Sequence, residues 1–126
     1  MGYTTIFHID DDDDDIDFFA EAVNQLSASA NCFSFTDAAA ALEKLINGEM
    51  IPDAIFLDLN MPIINGQEFL LKLKAYEMLE HIPVIILSTS SDSYTIHKLK
   101  SDGASGFLTK PSGIKELVNL LRPYLI

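Results

Sequence analysis

The chain has 126 residues, 48% of them hydrophobic and 21% charged, which suits one compact domain that buries about two-thirds of its unfolded surface and is unlike a linker or a disordered tail. Eight Lys and Arg face 19 Asp and Glu for a formal charge of -11, a field that repels nucleic acid and anionic lipid. With one cysteine (Cys32), no basic leader and no apolar run near the ~20 residues of a bilayer span, the expected setting is cytoplasmic, without direct contact to nucleic acid or membrane.

Residues 4–9 form the first predicted strand, which runs into Asp10 and Asp11. Asp10 to Asp15 together with Asp17 supply seven of the 19 acids, and the rest of the chain carries only -4, so the charge is a local feature. Ile16, Phe19, Val23 and Leu26 then recur at helical spacing and predict the first helix. Asp12 to Asp15 read as a solvated acidic loop entering that helix, where negative charge is favoured by ~0.3–1 kcal/mol per residue. Residues 32–35 are the second strand, and Leu42, Leu45 and Ile46 mark the second helix. The third strand, 54–57, ends at Asp58 and leads to a helix carrying Phe69, Leu70 and Leu73. The fourth, 84–87, runs into Ser88 and Thr89, followed by a weakly amphipathic helix around 93–100 with Tyr94, Ile96 and Leu99. The fifth strand, 106–109, ends at Lys110-Pro111. The last helix has Leu117, Val118 and Leu121 on one face, Ser112 as its expected N-cap and Pro123 as its expected end.

Alternating strands and helices imply a parallel sheet, because parallel neighbours need a crossover. The central strands are apolar on consecutive residues, as strands covered on both faces are. The expected fold is therefore α/β, a doubly wound five-stranded sheet in a single domain over residues 1–126, without an internal repeat or a linker.

In open α/β sheets ligands bind beyond the carboxyl ends of the strands. Asp10, Asp11, Asp58, Ser88 and Lys110 all stand at such ends. Carboxylates held 4 Å apart repel by about 4 kcal/mol per pair at an effective dielectric near 20, and a divalent cation compensates. Oxygen ligands without His or Cys favour Mg²⁺ or Mn²⁺. The calcium-binding EF-hand loop is excluded, since residues 10–19 contain no Gly. Singly, each residue has a plainer role: Asp58 a turn or cap residue, Lys110 a surface lysine, Phe107 a core aromatic. His8, His81 and His97 read as structural, and Cys32 as a small buried apolar residue.

Together, Ile9-Asp10-Asp11, Leu57-Asp58-Leu59-Asn60-Met61-Pro62 with Gly66, Ser88-Thr89 and Phe107-Leu108-Thr109-Lys110-Pro111 resemble, across the whole chain, the receiver domain of bacterial two-component response regulators, of the stand-alone chemotaxis-regulator kind. The resemblance implies a flavodoxin-like (βα)5 fold with strand order 2-1-3-4-5. It implies Asp58 as phosphoacceptor, with Mg²⁺ held by Asp10, Asp11, Asp58 and the carbonyl of Asn60. Ser88 and Lys110 would contact the phosphoryl group, Ser88 and Phe107 would form the switch, and a cis Lys110-Pro111 bond would aim the lysine. The implied donor is a histidine kinase or histidine phosphotransfer protein, and the implied target a protein that docks on the face of helix four, strand five and helix five. No output domain is expected, and no enzymatic activity beyond self-phosphorylation and autodephosphorylation. Many members carry an acidic residue before strand five that pairs across a dimer, whereas this chain has Gly103-Ala104-Ser105-Gly106. Asn60 and Ser90 occupy positions that in this family lie beside the attacking water. The other readings are a metal-dependent phosphatase or phosphotransferase with an Asp nucleophile, against which stands the absence of Asp-x-Asp at Asp58-Leu59-Asn60, and a degenerate receiver that binds partners without phosphorylation.

Overall fold

A computed structural model describes residues 2–27, 29–59, 66–89 and 92–126. Five strands and five helices alternate: β1 (Thr5–Ile9), α1 (Asp13–Leu26), β2 (Asn31–Phe35), α2 (Ala38–Ile46), β3 (Ala54–Asp58), α3 (Gly66–Lys74), β4 (Val84–Ser88), α4 (Ser93–Ser101), β5 (Gly106–Thr109) and α5 (Ile114–Leu125). The sheet is parallel throughout, in the order β2-β1-β3-β4-β5, so the predicted flavodoxin-like topology stands.

Every residue of β3 and β4 is buried. Successive side chains of a strand point to opposite faces, and the core is accordingly split in two. Ile55, Leu57, Val84 and Ile86 pack with α2, α3 and α4 through Leu45, Leu70, Leu73 and Leu99. Ala54, Phe56, Ile85 and Leu87 pack with α1 and α5 through Phe19, Val23, Leu117 and Leu121. Leu99 is the one buried residue of α4, in keeping with its weak apolar pattern. No helix of the described residues is long and apolar enough to cross a membrane.

Helix starts follow local chemistry. Asp12 caps α1 by accepting from Asp14 N at 2.9 Å, Asp37 caps α2 through Ala39 N at 2.9 Å, and Asp92 caps α4 through Thr95 N at 3.2 Å. Two expectations for α5 need correction. Its N-cap is Gly113 and not Ser112, with no side-chain cap bond; the Glu116 carboxylate folds back over Gly113 into space that a side chain would fill. Pro123 does not end the helix, which continues to Leu125. Pro lacks the N–H that would bond the carbonyl of Asn119, but tertiary contacts hold the last turn. Leu121 and Leu125 are buried, Tyr124 packs edge-on against Phe56, and Tyr3 N donates to Tyr124 O at 2.8 Å.

Candidate functional site

The register of the sheet assembles the site. Ile9 pairs with Leu57 and Ser88 with Thr109, so Asp10 and Asp58 leave adjacent strands side by side, and Lys110 follows one position beyond Ser88. Backbone bonds secure the strand ends: Asp10 N to Phe35 O at 3.0 Å, Leu59 N to Leu87 O at 3.1 Å and Lys110 N to Ser88 O at 2.7 Å. Gly66 opens α3 hard against this edge, its N–H donating to Leu59 O at 2.8 Å. A Cβ there would stand 2.8 Å from both Asp58 O and Leu59 Cα, so no larger residue fits without moving the backbone that carries Asp58.

One carboxylate oxygen from each of Asp10, Asp11 and Asp58 lies within 4.8 Å of the others. Asp10 and Asp58 are buried and Asp11 is exposed. Three hard oxygen donors facing one point, with neither His nor Cys among them, fit a small divalent cation. Ser88 is fully buried, and Phe107 is half-buried against the α2–α4 side of the core.

Lys110 stands over this cluster. Its Nζ lies 3.1 Å from Asp10 Oδ2, 3.2 Å from Asp58 Oδ1 and 3.0 Å from Asp15 Oδ2. Burial pulls the ammonium toward neutrality. Its hydrogen bonds to Asp15 and Asp10 and the charges of Asp10 and Asp58 outweigh that, so its pKa rises and it stays charged. Burial pushes Asp10 up to about 6; the N–H of Asp12 opposes the shift, the charge of Asp58 adds to it, and Lys110 opposes it again. His8, one turn of the pleat earlier on β1, stacks on Phe19 with ring centroids 3.9 Å apart. Its Nδ1 has no hydrogen-bond partner among the described residues, and burial first, then Lys110, lowers its pKa to about 3. A cavity of about 30 Å³, room for one or two waters, lies between His8, Asp10, Asp15, Phe18, Lys110 and Pro111.

The strand-end residues Asp10, Asp11, Asp58 and Lys110 therefore come together as the sequence predicts. Asn60, Met61, Pro62 and Ser90 lie outside the described residues. The expected cis Lys110-Pro111 bond is corrected: the described residues contain no cis peptide bond. Trans is favoured at X-Pro by about 0.5–1 kcal/mol, and the lysine reaches its three carboxylates without the cis form. Asp15, expected in the solvated acidic loop, pairs instead with Lys110. The signal lay in α1's own period: Phe19 and Ala22 are buried, and stepping back four and seven residues from them returns to Asp15 on the same face.

Comparison with known proteins agrees with this fold. The family model for the response regulator receiver domain matches residues 6–122. The transcriptional regulatory protein PrrA of Mycobacterium leprae is 36% identical over 115 residues, which is 90% of this chain and 47% of that protein. Among solved structures, the phosphorylated cyanobacterial phytochrome response regulator RcpA superposes with a TM-score of 0.86 at 27% identity, covering 97% of this chain and 91% of that one. The Mn²⁺-bound form of response regulator Rcp1 gives 0.83 at 25% identity, covering 95% and 90%. The chain spans about half or less of the length of the first curated relatives it matches.

Proposed function

The chain belongs to the response regulator receiver family, and from that premise we propose that it is a Mg²⁺-dependent phosphoacceptor that takes a phosphoryl group on Asp58. The observation that carries this reading is the convergence on Asp58 of two further carboxylates within 4.8 Å and of the Lys110 ammonium at 3.2 Å. Asp10, Asp11 and Asp58 would hold the ion, which when bound offsets the charge of the carboxylates and of an incoming phosphate.

Phosphoryl transfer asks a protein chiefly for positioning and charge neutralisation. An Asp58 oxygen attacks phosphorus in a phosphohistidine donor, the P–N bond breaks, and the imidazole nitrogen keeps the electron pair and takes up a proton. Lys110 and the Ser88 hydroxyl bind the transferred oxygens. Pulling Ser88 toward the phosphoryl group frees space on the α2–α4 side of the sheet for Phe107, and the change reaches the face of α4, β5 and α5. That face exposes Tyr94, 75% accessible, and would dock a protein target. The donor would be a histidine kinase or a histidine phosphotransfer protein.

Acetyl phosphate with Mg²⁺ should add a single phosphoryl group, about +80 Da by intact mass, to wild type and none to Asp58→Asn. A label on another side chain of the Asp58→Asn protein would refute the assignment. Turnover of a small phosphate ester much faster than phosphoryl loss from the protein would favour a phosphatase.

A further inference from the structure

Of the three carboxylates on Lys110, Asp10 and Asp58 belong to the trio that faces the ion position, and Asp15 does not. A cation held by Asp10 and Asp58, with a phosphoryl group on Asp58, would draw on the charge of those two and weaken their hold on Lys110. Asp15, outside that trio, would keep its full charge for the lysine. We propose that Asp15 is a positioning residue: it holds one N–H of the Lys110 ammonium from the first turn of α1 and so leaves the other two directed at the phosphoryl oxygens on Asp58. This deepens the phosphoacceptor reading and rests on it.

The geometry supports such a role. A lysine is a point charge with three donors on a flexible four-carbon stem, so by itself it is poorly oriented. Asp15 is carried by a rigid helix that packs on the sheet through Phe19 and Ala22, and its Oδ2 is 3.0 Å from Nζ. With the lysine side chain 18% exposed and the Asp15 side chain 42%, the pair is partly shielded and stronger than one on open surface. The run of acids thus splits by chemistry. Asp10 and Asp11 face the ion, and Asp15 faces the lysine.

The test is a double-mutant cycle on the rate of labelling by acetyl phosphate, at saturating Mg²⁺ and high salt so that neither ion affinity nor the general field of the acids is read. Wild type, Asp15→Asn, Lys110→Ala and the double variant are compared, with thermal melts to verify folding. Asp15→Asn should slow wild type about three- to tenfold and leave the Lys110→Ala rate nearly unchanged. Asp15→Glu, which keeps the charge, should recover part of the loss. Equal slowing in both lysine backgrounds, no slowing, or acceleration would overturn the proposal. If wild type is labelled at Asp58 and Asp15→Asn behaves identically, this proposal alone fails. If wild type is not labelled at all, the phosphoacceptor reading falls and takes this one with it.

Discussion

His8 on β1 and Asp10 just beyond its end are both 1% exposed, and burial moves their pKa values in opposite senses. His8 falls from 6.5 to about 3 and Asp10 rises from 3.8 to about 6. Stability changes with pH according to the difference in bound protons between the unfolded and folded chains. Between pH 3.8 and about 6 the unfolded pair carries one proton, on His8, and the folded pair, whose His8 Nε2 stands 3.8 Å from Asp10 Oδ2, also carries one. The two contributions therefore cancel in wild type. Asp10→Asn leaves His8 alone: the unfolded state then binds one proton more than the folded state below 6.5. Stability should fall as pH falls, by about 1.4 kcal/mol per unit and roughly 4–5 kcal/mol across the whole window. His8→Phe leaves Asp10 alone, and the sign reverses. The folded state now binds the extra proton, so stability should rise by up to roughly 3 kcal/mol as pH falls through about 6 toward 3.8. Urea unfolding followed by far-UV circular dichroism, in chelator and at half-unit pH steps, gives the difference between each variant and wild type, in which carboxylates remote from the pair drop out. Parallel stability curves for the three proteins would refute the reasoning, as would slopes of the opposite sign.

Removing a ligand differs from removing a neighbouring charge: Asp11→Asn should weaken Mg²⁺ binding severely at any salt. Asp14→Asn should weaken it slightly at low salt and hardly at all at high salt, because its effect is screened over about 8 Å; magnesium titrations at two ionic strengths check this. Beryllofluoride, which stands in for the phosphoryl group, should shift amide resonances from Tyr94 to Phe107 more than those of α2, and equal or reversed shifts would leave the proposed switch unsupported. Gly66→Ala, whose Cβ would stand 2.8 Å from backbone atoms of Asp58 and Leu59, should cost roughly 1–3 kcal/mol in urea unfolding. It should also slow acetyl phosphate labelling.

Much of this was legible in the sequence because strands and strand ends leave strong marks. The apolar cores of β3 and β4 have the pattern expected of strands covered on both faces, and in such a sheet the polar residue that follows each stands at the binding edge. Features set by tertiary contact were not legible. Pro123 carries a local stop signal, which loses to the burial of Leu121 and Leu125 and to the bond from Tyr3 N. Ser112 has the chemistry of a cap, but the helix begins one residue later than it would need to. The isomer of Lys110-Pro111 leaves no mark in the sequence, because an X-Pro bond admits both forms at little cost.

The acidic run shows how register divides residues that composition treats as equal. Asp10 still belongs to the two-residue period of β1. It shares a face with Ile6 and His8, the face that packs on α1 and α5, and so it is buried at 1% exposure. Asp11 alternates outward to the exposed lip of the site. At Asp12 the period changes: its carboxylate accepts from Asp14 N, and the helical repeat of 3.6 begins. Asp13 and Asp14 then occupy the solvent side of the first turn, where the helix dipole favours their charge. Asp15 comes round to the inward face and meets Lys110. One amino acid thus serves as buried site carboxylate, exposed site carboxylate, helix cap, dipole partner and lysine partner within six positions. The point at which the period changes from two to 3.6 decides which residue takes which role, and that point is set by the cap at Asp12.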